Sequence, residues 1–387
     1  MHASHLRCAT LVGFGLLVLG CTARGRRGVP PETTAHEVAR PHVVLGLDAA
    51  KDGSPSLRFV LRGGNVFGVG KQNLLIDDGK VVAIDVADDA GERAVDVTGR
   101  FIVPGFIDSH VHLAYYPEGA AELASNGVVA VLDLAAPLDS LHVEHAPLRV
   151  LNAGPMITAP AGYPSNSWGA NGYGFAVTTP AAGAAAVDML LKAGVVAIKV
   201  PLTAAPTLDD ATVKAVVDAA HAHGLKVYTH ALEDENAARA GKDGVDVLAH
   251  TPTQALSDAT LAVWQTRTVI STLSAFGGGD AAIANLRALR KGGARVLYGT
   301  DFGNTRVPGV QPAEITCLVA AGLDGASIVR AGTSVPAEFL GLMDLGSLTV
   351  GKRASFLVLA ADPTSDPQTL TQPIAVYVDG ALMSAGL

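Results

Sequence analysis

Residues 103–113 read VPGFIDSHVHL, an apolar run that closes on two histidines separated by one residue. Successive side chains of a β-strand point to opposite faces, so His110 and His112 share one face, with Cα atoms about 6–7 Å apart. Two imidazoles placed in this way can bind one metal ion. A single H-x-H pair is a weak pattern, so its weight depends on the strand that carries it and on the ends of the neighbouring strands.

Short apolar runs alternate with alanine-rich helical runs from Pro104 onward. This alternation predicts parallel strands joined by helices. Eight strands over about 220 residues indicate an α/β fold of the (β/α)8 TIM-type barrel class, which we assign to residues 104–344. The eight runs are FIDSHVH (106–112), VVAVLDL (128–134), LRVLNAG (148–154), VVAIKV (195–200), KVYTHA (226–231), VDVLAHT (245–251), TVISTLS (268–274) and RVLYGTD (295–301). The predicted helices include 181–193, 209–223, 258–266, 281–292 and 312–321.

Strand-like sequence flanks this region on both sides. Residues 57–103 contain LRFVLRGGNVFG and NLLIDDGKVVAIDV, which are broken by Gly and Asp-Gly turns. Residues 345–387 contain ASFLVLAAD and IAVYVDGAL. Because the ends of a domain often lie close together, we expect both segments to form one small β-sandwich accessory domain beside the barrel.

The first 21 residues, MHASHLRCATLVGFGLLVLGC, have the layout of an export signal. Arg7 supplies a positive start, and the apolar stretch that follows is too short to span a bilayer comfortably. The closing VLGC resembles a bacterial lipobox. We therefore expect a signal peptide at 1–20, a lipidated Cys21 with a flexible tether over 21–56, and an exported lipoprotein anchored in the periplasm or at the cell surface. The alternative is an ordinary signal peptide in which Cys21 is incidental.

Composition and charge restrict the partners of the chain. Of its 387 residues, 49% are hydrophobic and 17% are charged, so it can bury a large core. The net charge of −8 is spread without a long run of one sign. This argues against nucleic acid as the main partner, because phosphate binding needs a clustered basic surface. Cys317 lies in an Ala/Val-rich stretch and is interpreted as a small buried side chain. Membrane contact is expected through the lipid anchor only, and a homo-oligomer is left open.

Four further polar residues stand at the ends of predicted strands. Lys199 ends the fourth, His230 the fifth, His250 the sixth and Asp301 the eighth. In a (β/α)8 barrel these ends meet at one mouth, where the catalytic residues of that fold collect. Imidazole and carboxylate are the ligand types expected for zinc and similar divalent ions. Each residue alone has a structural explanation, but their convergence predicts a metal site.

The chain resembles the amidohydrolase superfamily, in the branch of imidazolonepropionase-like enzymes and prolidase-like metal-dependent dipeptidases. The matching segments are VPGFIDSHVHL, AIKV, THA, LAHT and YGTDFG, with LGSLTVGKRASFLVL near the end. The full order H-x-H, K, H, H, D is specific, whereas no single segment is. The resemblance therefore implies a hydrolase that uses a binuclear metal site.

This resemblance also implies a role for each of the six residues. The expected ligands are His110, His112 and Asp301 for the first metal ion, His230 and His250 for the second, and Lys199 as a bridging carbamate derived from carbon dioxide. A carbamate is needed because two divalent cations would repel an ammonium group. The ions are expected to be zinc. A metal-bridging hydroxide would attack the scissile bond, and Asp301 would carry its proton to the leaving amine. If Lys199 instead reaches solvent, we expect a single ion.

Several residues near the predicted mouth are candidates for substrate binding. The loop 154–179 is long and rich in Gly, Pro and aromatic residues, so it could cover the mouth. Its Tyr163, like Trp168 and Tyr173, either contacts substrate or only packs the loop. Tyr228 shares a strand face with His230 and either donates to a substrate oxygen or fills the core. Arg306 could bind a substrate carboxylate or have only a surface role. For Tyr116, just after the first strand, the same two alternatives remain.

Two departures from the family pattern bear on the prediction. Ser355 stands where relatives often carry Asp, which concerns the accessory domain. Gln311 stands where a His is frequent, which leaves the composition of the substrate pocket undecided.

The ligand set that contains Lys199 resembles that of binuclear dipeptidases. We therefore predict an enzyme that hydrolyses carbon–nitrogen bonds in small peptides or N-acyl amino acids, a dipeptidase first. A lactonase, a cyclic-amide hydrolase or a phosphotriesterase-like hydrolase would use the same site. A non-enzymatic surface binding protein is disfavoured because no ligand is missing.

Overall fold

A computed structural model describes residues 58–90 and 93–385 of the chain. The predicted signal peptide, Cys21 and the tether lie outside the described residues. The described strands are β1 (Phe59–Val66), β2 (Gly70–Asp77), β3 (Lys80–Ile84), β4 (Ala94–Asp96), β5 (Phe101–Pro104), β6 (Phe106–Val111), β7 (Val128–Asp133), β8 (Arg149–Asn152), β9 (Met156–Thr158), β10 (Gly174–Ala176), β11 (Ala197–Pro201), β12 (Lys226–His230), β13 (Val247–Leu248), β14 (Thr268–Ile270), β15 (Arg295–Leu297), β16 (Phe356–Leu359), β17 (Ala375–Val378) and β18 (Ala381–Ala385).

The described helices alternate with the central strands, as the sequence pattern predicts. They are α1 (Gly119–Ser125), α2 (Pro180–Lys192), α3 (Asp210–Ala222), α4 (Asp234–Lys242), α5 (Asp258–Trp264), α6 (Asp280–Gly292), α7 (Pro312–Ala320), α8 (Gly325–Gly332) and α9 (Ser334–Phe339). Side chains cap several of their first turns: Thr179, Asp209 and Ser257 each accept a hydrogen bond from the backbone N–H three residues later. No helix among the described residues has the length and apolar character needed to cross a bilayer.

Eight parallel strands carry the site; seven fall within a predicted run, and β11 overlaps the run 195–200 and extends it to Pro201. They form a three-stranded sheet, β6-β7-β8, and a five-stranded sheet, β11-β12-β13-β14-β15. Backbone hydrogen bonds connect the two sheets at both edges. Val196 N donates to Asn152 O at 2.9 Å, and Ser109 N donates to Tyr298 O at 2.9 Å. The result is a TIM-barrel-like α/β arrangement with strand ends gathered on one side.

The interior of these strands is filled with apolar side chains beneath the site. A buried cluster there includes Leu132, Ala197, Tyr228 and Ile270, each with at most 1% of its surface exposed. A larger buried cluster lies between the strands and the helices, with Trp264 among its members. Burial on both faces explains why these strands are continuous apolar runs rather than alternating ones.

The β segments from the two ends of the chain pair with each other. The order is β18-β17-β16-β5-β1-β2-β3, with β4 beside β1. The junction is the antiparallel pair of β5 and β16, in which Val103 faces Leu357. A separate apolar cluster covers this sheet, where the rings of Phe356 and Tyr377 stack at 4.7 Å. The sequence predicted that both ends of the chain contribute strands to one sheet, and the structure shows this pairing. That the sheet forms a separate β-sandwich domain stays a prediction.

Ser355, the first departure from the family pattern, lies beside an ion-pair network of this sheet. Its hydroxyl donates to Asp379 Oδ1 at 3.0 Å, and Arg353 also binds Asp379. Arg353 also donates a hydrogen bond to Asp344. The Asp344 carboxylate accepts two more hydrogen bonds from Arg149, each at 2.7 Å. Ser355 therefore acts in the junction between β8 and the terminal sheet, away from the predicted ligands.

Candidate metal centre

The structure places all six predicted ligands at the same end of the parallel strands. His110 lies on β6 with His112 directly after it, and His230 ends β12. His250 and Asp301 follow β13 and β15. Lys199 differs from the prediction in one respect, because β11 continues to Pro201, and Lys199 therefore lies within the strand. No more than 9% of any of these six residues is exposed.

Three of the six side chains meet at hydrogen-bonding distances. His110 Nε2 lies 3.3 Å from His112 Nε2. Asp301 Oδ1 lies 3.5 Å from His110 Nε2 and 3.1 Å from His112 Nε2. Nitrogen and oxygen atoms this close, on groups that all offer lone pairs, match the first ligand set that the family resemblance implies.

The other two histidines adjoin this group. The His250 ring lies 4.4 Å from the His110 ring and 4.8 Å from the His230 ring, measured between centroids. His110, His250 and Asp301 together offer ligand atoms that all lie within 4.8 Å of one another. This triad takes His110 and Asp301 from the first expected ligand set and His250 from the second. The side chains of the two sets therefore form one continuous cluster.

Two buried atoms of the cluster have no hydrogen-bond partner among the described residues. They are Lys199 Nζ and His112 Nδ1. An unpaired polar atom away from water costs about 1–3 kcal/mol, so such an atom calls for an explanation. Divalent metal ions held by this donor set, with Lys199 converted to an anionic ligand, would supply a partner for the lysine. The donor chemistry therefore fits the metals that the family resemblance implies.

The surroundings favour the neutral form of His110 and His230, which is the form that binds metal. Burial, and after it the charge of Lys199, hold the pKa of His110 well below its usual value. The same two causes lower the pKa of His230 to about 3. Burial also lowers the pKa of Lys199 to about 7, against a smaller opposing effect from Asp301. A large fraction of this amine is therefore unprotonated at neutral pH, which is the form that reacts with carbon dioxide.

Hydrogen bonds from neighbouring strands orient two of the rings. His110 Nδ1 donates to Ala249 O at 2.8 Å, so its lone pair is on Nε2, which faces His112 and Asp301. His250 Nδ1 lies 3.0 Å from Thr272 Oγ1. Such contacts fix the tautomer and the direction of a metal-binding imidazole. Thr272 was not singled out in the sequence, because its partner lies 22 residues away on another strand.

The backbone at Asp301 adopts a conformation that is rare for residues other than glycine. Its φ is +56°, and its N–H donates to His110 O at 2.9 Å. Gly303, two residues later, has a φ of +109°, and a Cβ there would lie 2.3 Å from His112 O. Only glycine permits this approach. Left-handed residues of this kind concentrate at functional sites, where the fold holds them in place.

Two buried carboxylates that the sequence reasoning missed support the strand ends. Asp108 accepts hydrogen bonds from the N–H groups of His110 and Thr300, both at 3.1 Å, and burial raises its pKa to about 7. Asp133 accepts from Ala114 N at 2.9 Å and Ala135 N at 3.0 Å. Burial raises the pKa of Asp133 to about 6, and His112 opposes the shift. Both could have been found from the sequence, because each is an acidic residue within an otherwise apolar strand.

The loop 154–179 lies over the predicted metal ligands. Its Tyr163 ring stacks on His230 at 4.8 Å, and its Trp168 ring lies 4.8 Å from His112. Trp168 Nε1 donates to Tyr163 Oη at 2.8 Å. Phe276, which the sequence reasoning also missed, closes another side with its ring 4.7 Å from His250. The contacts with substrate stay predictions, but the loop covers the mouth.

The remaining substrate candidates lie at different depths. Arg306 is exposed, with its guanidinium 4.3 Å from the Tyr116 ring, at the rim of the mouth. Tyr228 is paired in register with Lys199 and belongs to the apolar cluster below the site. This position favours the core role for Tyr228. Gln311 donates to Val307 O at 2.7 Å and to Thr305 Oγ1 at 3.2 Å, so it supports the loop that carries Arg306.

Comparisons with known proteins agree with this fold and identify the family. A family model described as the Amidohydrolase family matches residues 101–383. An uncharacterized protein of Mycobacterium tuberculosis is 25% identical over 377 residues, which is 86% of this chain and 98% of the relative. The crystal structure of a Xaa-Pro dipeptidase with bound methionine in its active site superimposes with a TM-score of 0.74, at 21% identity, over 85% of this chain and 100% of that one. A structure described as a prolidase from Bifidobacterium longum gives 0.70, at 26% identity, over 84% and 94%.

Proposed function

The chain belongs to the amidohydrolase family, and on that premise we propose that it cleaves the amide bond of small peptides or N-acyl amino acids, with dipeptides as the first class of substrate. The family establishes a hydrolase that acts on carbon–nitrogen bonds. The observation that carries the finer proposal is the buried Lys199 amine, unpartnered among the described residues and set among His110, His230 and Asp301. The resemblance to binuclear dipeptidases rests on that lysine.

We propose that the cluster holds two divalent metal ions, zinc first. The residues that would hold them are His110, His112, His230, His250, Asp301 and Lys199 as its carbamate. Metal ions in such a site lower the pKa of a water molecule and polarise a carbonyl group. A carbamate requires an unprotonated amine shielded from water, and the burial of Lys199 supplies both conditions.

The side chains of the chain itself would move the proton and orient the substrate. As the oxygen of water forms a bond to the scissile carbon, Asp301 accepts the proton of that water. It then delivers the proton to the nitrogen as the carbon–nitrogen bond breaks. Asn304 Nδ2 lies 3.4 Å from both oxygens of Asp301 and helps to orient the carboxylate.

Two further side chains would bind the substrate. Tyr163 Oη accepts from Trp168, so its own proton is free to reach a substrate oxygen. Burial raises the pKa of Tyr163 to about 12, which keeps that proton in place at neutral pH. Arg306, held over Tyr116 at the rim, would bind the carboxylate of a peptide.

The test is amine release from a library of dipeptides and N-acyl amino acids, using the purified full chain supplied with zinc and bicarbonate. Release that disappears on chelation and returns with metal supports the proposal. No release from a protein that retains about two ions per chain would refute it. Lactones, cyclic amides and phosphate esters assayed in parallel would then identify the reaction that the same cluster performs.

We also propose export and lipidation at Cys21, which rest on the N-terminal sequence. Metabolic labelling with a fatty acid, compared between the natural chain and Cys21→Ser, tests this directly. Label that depends on Cys21 supports a lipid anchor, and equal labelling of both proteins refutes it.

A further inference from the structure

Three aromatic side chains contact the metal ligands directly, and we call them the aromatic box: Tyr163, Trp168 and Phe276. Tyr163 stacks on His230 with the ring planes 30° apart, and Trp168 faces His112. Phe276 packs edge-on against His250 at 4.7 Å and against His230 at 6.2 Å. Any substrate whose scissile bond reaches the ligands must therefore place its neighbouring groups among these rings.

Different parts of the fold hold the walls of the box. Tyr163 and Trp168 belong to the loop 154–179 and are hydrogen-bonded to each other. Phe276 belongs to a short turn after β14, and that turn is fixed from below by Glu314 of α7. The fully buried Glu314 carboxylate accepts from Leu273 N at 3.1 Å and from Ser274 N at 2.7 Å. The Phe276 wall is thus anchored to the helical layer, whereas the other two walls depend on a surface loop.

The lining of the box is mainly aromatic rings, and the Tyr163 hydroxyl is the polar group that could reach a substrate. Besides the histidines, Trp168 contacts the rings of Tyr163, Tyr115 and Tyr173, and the ring contacts of Phe276 are with His230 and His250. Arg306 lies outside, over Tyr116 and Tyr115. A charged substrate side chain held against these rings would lose water without gaining an ion pair from them, which is costly. A hydrocarbon side chain or ring of the substrate would instead make apolar contacts with these rings like those that the rings make with one another.

We propose that the aromatic box is the specificity pocket of this enzyme. It accepts amides in which a residue adjoining the scissile bond carries an apolar side chain, and Phe276 is the specificity-determining residue. The inference rests on the proposed amide hydrolysis and deepens it by naming the substrate class. Phe276 is the determinant because Glu314 anchors the turn that carries it to the helical layer, whereas Tyr163 and Trp168 lie on a surface loop.

The experiment measures kcat/KM for matched dipeptides that differ in one side chain, Phe against Asp or Lys, placed on either side of the bond. The full chain, loaded with zinc and bicarbonate, should prefer the apolar member by about 10- to 100-fold on at least one side. Phe276→Ala should reduce that preference about tenfold, mainly by raising KM for the apolar substrate, with metal content unchanged. Phe276→Leu keeps an apolar wall and should retain most of the preference.

Phe175→Ala is the matched control, because it also removes a phenylalanine ring. Phe175 is partly buried in the loop 154–179 and lies outside the box. It should leave the ratio between substrates unchanged. Equal rates for apolar and charged dipeptides in the natural chain would overturn the inference while leaving amide hydrolysis intact. So would a Phe276→Ala variant that loses activity equally on all substrates. Failure to release amine from any pair would overturn the proposed function, and this inference with it.

Discussion

Lys199 should destabilise the metal-free protein, and replacing it with methionine should make that protein more stable at neutral pH. The amine is fully buried and has no hydrogen-bond partner among the described residues. Methionine has a similar length and needs no partner. Metal-free Lys199→Met should therefore unfold at a higher denaturant concentration than the natural chain at pH 7, although it has lost a ligand.

The size of the effect follows from the pKa of the amine. Burial lowers this pKa from 10.5 to about 7 in the folded chain. Between these values the unfolded state binds more protons than the folded state, so the free energy of unfolding rises with pH. Each pH unit is worth about 1.4 kcal/mol, and the whole span about 5 kcal/mol. The penalty is complete below pH 7 and disappears as the pH approaches 10.5.

The assay is urea unfolding of both proteins between about pH 6 and 9.5, a range that covers most of the transition, after chelation and in buffer free of carbon dioxide. The difference between the proteins should narrow by about 1.4 kcal/mol per pH unit above pH 7. Lys214→Met is the control, because Lys214 is exposed and pairs with Asp218 on the surface. Its difference from the natural chain should stay constant. A Lys199→Met difference that also stays constant would refute the view that the amine is buried without a partner.

Three further predictions test individual parts of the site. Asp301→Asn should lower kcat for amide hydrolysis about 10²- to 10⁴-fold while metal analysis shows both ions retained, and full activity would exclude the proton transfer. Gly303→Ala should cost about 3 kcal/mol or more in urea unfolding, because its Cβ would meet His112 O, whereas Gly68→Ala, with a φ of +77° but open space around it, should cost about 1 kcal/mol. Arg306→Gln should raise KM about tenfold for peptides with a free carboxylate and leave amidated peptides unaffected, and equal effects on both would exclude carboxylate binding.

The positions of the strands were predictable because burial leaves a direct record in the sequence. Each of the eight apolar runs overlaps an observed parallel strand, and the five predicted helices agree with α2, α3, α5, α6 and α7 to within a few residues. Helices α1, α4, α8 and α9 were not predicted individually. The first of these has seven residues and α9 has six, too short for a periodic pattern to stand out.

The cluster of candidate metal ligands was partly predictable for the same reason. An ionisable residue at the end of an apolar run is expensive unless it has a function, and the order of six such residues carried the family resemblance. Asp108 and Asp133 gave the same signal but were passed over, since each lies inside a run rather than beside a second ligand. Both support backbone turns next to the histidines.

The sequence by itself determined the α/β class, the eight strands and the residues that converge at the strand ends, because these follow from periodicity and from the position of each residue along its strand. The family followed from the resemblance of the motifs that carry those residues. Only the tertiary structure decided which side chains touch. It brought Tyr163 and Trp168 onto the ligands, turned Phe276 toward His250, and left Lys199 Nζ without a hydrogen-bond partner among the described residues. These contacts join segments that are far apart in the chain, and loop conformation depends on packing that no local pattern encodes.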